Sequence, residues 1–123
     1  MAQIGDGGVI AQIRDNKTGK AVAATSGSLK VHVVDKAPLN PECVTSSNPV
    51  ADCKSSNTPE PANWSKTGGS NSGWSNASVY TPQEVGAKDG YNTITWSPSA
   101  KPIWSSDLEL DNTVLLRTSI KAP

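Results

Sequence analysis

Apolar and polar residues alternate with a period of two through the first third of the chain. The pattern is clearest at Leu29, Val31 and Val33, which alternate with Lys30 and His32. Such alternation is typical of β-strands with one covered face. Residues 15–19 combine Asp, Asn and Gly, which favour a tight turn. We therefore predict a three-stranded antiparallel meander within residues 9–35, with strands over 9–14, 20–25 and 29–35.

The character of the sequence changes over residues 36–78. Five prolines lie between positions 38 and 61, and Ser, Asn and Gly make up most of the rest. Proline donates no backbone hydrogen bond to a sheet and restricts the residue before it. We predict a long, irregular and extended arm. Because compact domains seldom contain loops of this length, the arm is expected to be disordered alone or to lie on another surface.

Strands are predicted again in the C-terminal part, residues 79–123. Thr93–Trp96 is a short β-prone run that ends before Pro98. In the last segment most apolar residues occupy even positions and most charged residues odd positions, which predicts a half-buried strand, or a hairpin that turns at residues 111–112. Thr81 and Pro82 are the residue types favoured at a helix N-cap and at the first helical position, so one helical turn is expected at 81–84. The apolar even positions are Leu108, Leu110, Val114, Leu116 and Ile120.

These elements predict an all-β protein of one domain, residues 1–123. The expected architecture is a small antiparallel sandwich or barrel-like domain that carries the long Pro/Ser-rich arm. No window of a dozen residues shows a sustained apolar stripe with a period of 3.6 residues, so almost no helix is expected.

Composition excludes several functional classes. Lys+Arg and Asp+Glu both number 11, so the formal net charge is zero and the basic excess of a nucleic-acid-binding protein is missing. No apolar run approaches the roughly 18 residues that a membrane span needs. Hydrophobic residues make up 35% of the chain and Phe is absent. A chain so poor in apolar residues often gains stability by oligomerising or by docking on a larger surface.

The N-terminal sequence and the two cysteines indicate the cellular compartment in which the protein is made and folds. The first eight residues have no basic region followed by an apolar stretch, so no signal peptide is predicted. Cys43 and Cys53 are spaced so that they can close a small disulfide loop, and two free thiols are the alternative in a cytosol. A zinc site would need two more ligands, which one distant His does not supply.

Catalytic and cofactor sites are not predicted. His32 is the single histidine, and it is expected to be an exposed strand residue rather than a base. Asp107, Glu109 and Asp111 form a row of carboxylates on one strand face. One straight strand cannot surround a calcium ion, so this row is expected to be solvated.

Aromatic residues are the best candidates for partner binding. Large flat side chains among adaptable polar neighbours suit protein partners or sugar rings, although burial in the core is the competing interpretation. The candidates are Trp64, Trp74, Tyr80, Trp96 and Trp104.

Residues 9–33 resemble a pattern found in accessory virion proteins of tailed bacteriophages, of the decoration or fibre-base type. The pattern is a strand ending in Arg-Asp, a Thr-Gly turn, small residues, and then Gly-Ser-Leu-x-Val. The resemblance implies a non-enzymatic structural protein, made in the host cytoplasm and carried in the virion. It implies no catalytic residues. The expected partners are other virion proteins or copies of itself, as a homo-oligomer or on a lattice, with neither nucleic acid nor membrane.

Three alternatives remain at this point, and the last of them is an enzyme, for which a hydrolase screen with His32→Ala as the control is the test. The first is a carbohydrate- or cell-surface-binding β module that uses Trp64, Trp74 and Tyr80. The second is a small secreted or cell-surface β domain, for which an oxidised Cys43–Cys53 pair would be expected.

Overall fold

The computed structural model describes residues 7–88 and 90–122 and contains three small antiparallel sheets. Helical structure in these residues is limited to short pieces, so the all-β prediction is confirmed. The strands are β1 (Gln12–Arg14), β2 (Ala21–Ala24), β3 (Lys30–Lys36), β4 (Ser56–Asn57), β5 (Ser75–Asn76), β6 (Ser78–Val79), β7 (Ile103–Trp104) and β8 (Asp111–Arg117). The helical pieces are α1 (Pro49–Asp52) and 3-10 helices at Pro41–Thr45 and Tyr91–Thr93.

The first hairpin forms as predicted. β1 pairs antiparallel with β2, and the turn between them is held by Asp15, whose side chain accepts a hydrogen bond from the Lys17 N–H at 2.9 Å. Gly19 has φ +71°, a left-handed conformation that glycine adopts without steric cost. Turn chemistry that acts over a few residues therefore determines this element.

The predicted third strand of the meander belongs to a different sheet. β3 does not pair with β2; it pairs along its length with β8, from Lys30 opposite Arg117 to Lys36 opposite Asp111. Its other edge pairs with β5 at one end and β4 at the other. The meander prediction is wrong at this strand because the Ser-Gly-Ser break lets the chain leave the hairpin, and long-range pairing decides the partner.

Residues 36–78 are folded rather than extended. They contribute two short strands to the β3 sheet, and a disulfide joins Cys43 to Cys53 across a Cα–Cα distance of 5.1 Å. Most side chains in this segment remain exposed. The segment thus keeps the polar surface that its composition predicts while its backbone is bound to the sheet.

Two further predictions fail in the C-terminal part. Residues 93–96 do not form a strand, because the 3-10 helix Tyr91–Thr93 and a bend occupy this region. The last strand begins only at Asp111, since residues 108–110 form a turn. By contrast, the turn at 81–84 forms as expected: the Thr81 N–H binds the Glu84 carboxylate at 2.9 Å, and the Glu84 N–H binds the Thr81 hydroxyl at 3.1 Å.

A small apolar cluster joins the sheets. Leu29, Ala77 and the fully buried Ile103 form its centre, with Val9 and Leu116 packed against it. Val9 and Ile103 exchange backbone hydrogen bonds, which attaches the N-terminal segment to β7. The core is therefore real but small for a chain of 123 residues.

Candidate functional site

The five aromatic residues predicted to bind partners do not form one exposed platform. Trp74 is buried, with 9% of its surface exposed, and the other four are half-buried. Their surroundings differ, and the orientation of each indole or phenol ring decides whether it can meet a partner.

Trp104 and Tyr80 direct their polar atoms inward. Trp104 Nε1 donates to the main-chain oxygen of Asp111 at 2.9 Å, and the Tyr80 hydroxyl donates to that of Ser105 at 2.6 Å. Buried aromatic residues usually satisfy their polar atom in this way. These two residues connect the β6–β7 sheet to neighbouring backbone, which is a structural role.

Trp74 covers the single histidine. The rings of His32 and Trp74 lie 5.4 Å apart at 30°, and Nε2 of His32 is buried without a hydrogen-bond partner among the described residues. His32 as a whole is half-buried rather than exposed as the sequence predicted. The physical reason is that β5 pairs with Lys30 and Val31 and so brings Trp74, one residue before it, onto the neighbouring strand position.

Trp64 lines a groove with a volume of about 560 Å³. Its Nε1 donates to the Glu60 carboxylate at 3.0 Å. Leu116 in β8 and Ile120, which follows the strand, contribute apolar side chains to the lining. Arg117 reaches across the groove and donates to the Lys66 carbonyl oxygen at 3.0 Å. The groove offers one aromatic face among hydroxyl-bearing and cationic side chains.

Trp96 belongs to a second groove, of about 360 Å³, that is mainly apolar. It stacks on Tyr91 with ring centroids 5.9 Å apart at 23°, and its Nε1 donates to the Tyr91 carbonyl oxygen at 3.0 Å. Val85 and Ile94 contribute to the same lining. Tyr91 escaped the sequence prediction. The sequence signal that could have identified Tyr91 is its spacing of five residues from Trp96. The 3-10 turn after Tyr91 brings the two rings together at this spacing.

The three carboxylates of the predicted row do not share a solvated face. Asp111 is buried with 4% exposed, and its carboxylate lies 3.7 Å from Lys36 Nζ. Asp107 lies in the turn before β8, where the backbone N–H of Leu110, and then that of Glu109, lower the pKa of its carboxyl group. The prediction of a solvated row is wrong because the strand begins at Asp111. Among residues 7–88 and 90–122, no group of three or more His, Cys, Asp or Glu is placed to hold a metal ion.

Several large apolar side chains are exposed, and two of them, Ile94 and Ile120, line the Trp96 and Trp64 grooves. They are spread over the hairpin, the disulfide loop, β6 and the C-terminal segment: Ile13, Val22, Leu39, Val50, Val79, Ile94 and Ile120. In the described residues no helix is long and apolar enough to cross a membrane.

Comparison with known proteins adds no relative to this picture. No protein-family model, curated protein or solved structure matches the chain.

Proposed function

We propose that this chain is a non-enzymatic structural component of a virus particle, either a capsid-decoration protein or a head or tail accessory protein. It acts by burying its surface against neighbouring subunits. Its partners are other virion proteins or copies of itself. The proposal combines the size of the exposed surface with the phage-like pattern of residues 9–33.

The observation that carries the proposal is the amount of accessible surface. The chain exposes 8269 Å² at a mass of 12.8 kDa. A compact monomer of this mass exposes about 6,300 Å². The surplus of about 2,000 Å² is more than one partner contributes to a protein interface of standard size. A chain with so small a core gains the missing burial by binding neighbours.

The disulfide also fits this interpretation. Disulfides persist in oxidising surroundings, which include the surfaces of virus particles as well as secreted proteins. The Cys43–Cys53 bond closes a loop within residues 36–78, where most side chains are exposed and little apolar burial is available. Such a bond stabilises a particle component after the host cell has lysed.

The test is the protein content of purified particles. Particles of the virus that encodes the chain are purified by density gradient, and the chain is quantified by mass spectrometry against the major capsid protein. We expect a fixed ratio that survives a second gradient. If the chain stays at the top of the gradient while particles sediment normally, the proposal is wrong.

The second candidate, carbohydrate binding, is favoured by one observation, the groove beside Trp64. Trp74 and Tyr80 support it less, because one covers His32 and the other bonds to Ser105. If the groove binds glycans, Trp64→Phe keeps binding on a glycan array and Trp64→Ala removes it. Loss of glycan binding with normal particle incorporation would separate this function from assembly.

A further inference from the structure

The disulfide loop presents an exposed apolar tip. Val50 lies on α1 and is 95% exposed, although valine is usually among the most buried residues. The neighbouring Ala51 is also exposed. Glu42 and Asp52 lie on the same loop, and residues 41–53 contain no Lys or Arg. The tip of this loop is therefore apolar, and its two carboxylates outnumber the one cation at its base, Lys54, which is also exposed.

The loop is held rigidly at its base. Besides the disulfide, the Leu39 N–H donates to the Lys54 carbonyl oxygen at 2.8 Å. The Asn40 side chain bridges the two sides, since it donates to the Asp52 carbonyl oxygen and accepts from the Lys54 N–H, both at 2.8 Å. A rigid loop loses little conformational entropy when its tip is bound.

An apolar cleft lies between the first hairpin and the end of β8. Its volume is about 100 Å³, and Ala23 and Leu29 line its interior. Ile13 and Ile120 stand at its rim, 49% and 42% exposed. Because an apolar cavity of about 150 Å³ holds a benzene molecule, a cleft of this size has room for an isopropyl group.

The tip and the cleft are connected to opposite ends of β3. The loop follows the Lys36 end of β3, whereas Leu29 and the residues after Arg117 lie at the other end. The seven residues of β3 span six backbone steps, so the two ends of the strand lie about 20 Å apart. Two lysines lie beside the cleft. Lys121 follows the lining residue Ile120, and the Lys101 N–H donates to the carbonyl oxygen of Thr25, which also lines the cleft. Both lysines are exposed, so the neighbourhood of the cleft is positively charged, whereas Glu42, Asp52 and Lys54 leave the loop with a net negative charge.

We infer that copies of this chain associate head to tail, with Val50 of one copy seated in the Ile13–Ile120 cleft of the next. The apolar groups are matched in size and the surrounding charges are opposite in sign. A contact between two different faces repeats and produces a ring or a filament rather than a closed pair. The inference rests on the proposed function, because it identifies the neighbour as a second copy of the same chain.

Sedimentation velocity of the purified chain over a concentration series tests the inference. We expect the wild type to form higher assemblies that dissociate as salt is raised, because the charges at the contact are exposed. Val50→Asp and Ile120→Asp each abolish association. Val79→Asp, an exposed apolar residue on β6, is the matched control and associates like the wild type. Circular dichroism of each variant verifies that it is folded.

A mixture of the two inactive variants distinguishes this contact from any other. Val50→Asp retains the cleft and Ile120→Asp retains the tip, so an equal mixture should form a complex of one copy of each and nothing larger. A wild type that is monomeric up to about 1 mM overturns the inference, since contacts weaker than this contribute little. Association of Val50→Asp at the wild-type level overturns it as well, and identifies another surface or partner.

The two proposals fail in different ways. If the chain is incorporated into particles but is monomeric in solution, the head-to-tail contact is wrong and the particle function stands. If the chain associates through the tip and cleft but is not present in particles, the particle function is wrong.

Discussion

Trp104 and Asp111 are joined by a hydrogen bond from the indole Nε1 to the main-chain oxygen, 2.9 Å long. The bond holds the first residue of β8 against the end of β7, and the buried Asp111 carboxylate lies near Lys36. Gly7 packs against the same indole, so closely that a Cβ there would clash with it. A tryptophan that the sequence suggests as a partner anchor therefore organises the interior.

Trp104→Phe should lower stability while preserving the fold. Phenylalanine keeps most of the ring but removes the Nε1–H, so the Asp111 oxygen loses its partner and unfolding becomes easier by about 1 kcal/mol. Urea unfolding measures this as a lower midpoint with an unchanged slope. Trp64→Phe is the control, because the lost partner there is the exposed Glu60 and the change should stay within about 0.5 kcal/mol. Equal losses in both variants would argue against the structural role of Trp104.

Gly7→Ala and Gly90→Ala should change stability in opposite directions. A methyl group at Gly7 meets the indole of Trp104, and overpacking of this kind costs about 1–3 kcal/mol. Gly90 has φ −63° and ψ −25° with no neighbouring atom within 4 Å, so alanine should stabilise by about 0.4–1 kcal/mol. Thermal unfolding of the two variants checks both signs, and a stabilised Gly7→Ala would contradict the packing described here.

Removing the disulfide should destabilise the chain through its unfolded state. The cysteines are 10 residues apart in sequence. Closing a loop of this size is worth about 2–3 kcal/mol. We expect the Cys43→Ser/Cys53→Ser double variant to lose this amount in thermal or urea unfolding. A reductant should lower the stability of the wild type and leave the double variant unchanged. Two titratable thiols in the untreated native chain would show that the bond is not formed.

The carboxylate of Asp107 should make stability depend on pH in the acid range. Two backbone N–H groups hold its folded-state pKa below the ordinary value of 3.8. The ionised form therefore stabilises the fold above that value, and the stabilisation disappears as the pH falls through the folded-state pKa. Asp107→Asn should be less stable than the wild type at neutral pH, and the difference should vanish in stronger acid. Urea midpoints measured across this range test it, with Glu109→Gln as an exposed neighbouring control that we expect to leave the profile unchanged.

Several elements were predictable because the responsible residues are neighbours. Asp15 and Gly19 define the first turn, and Thr81 and Glu84 cap each other three residues apart. Alternation around Val31 locates β3. In each case the interacting groups lie within a few residues, so local chemistry is sufficient.

The candidate site was less predictable because it depends on orientation. The sequence identifies aromatic residues, but their direction follows from which strands pair. Trp74 is buried because β5 pairs with β3, and Trp104 faces inward because β8 begins at Asp111. The groove beside Trp64 exists because the loop after Glu60 lies against Arg117, more than fifty residues away.

The sequence by itself determined the all-β character, the first hairpin and the small supply of apolar residues. These depend on period-two alternation, turn chemistry and composition, which are properties of short segments or of the whole chain. The tertiary structure decided the partners of β3, the burial of Asp111 and the connection of the Val50 tip and the Ile13–Ile120 cleft to opposite ends of β3. Such features arise when distant segments exclude water from one another, and that outcome depends on all the competing contacts at once.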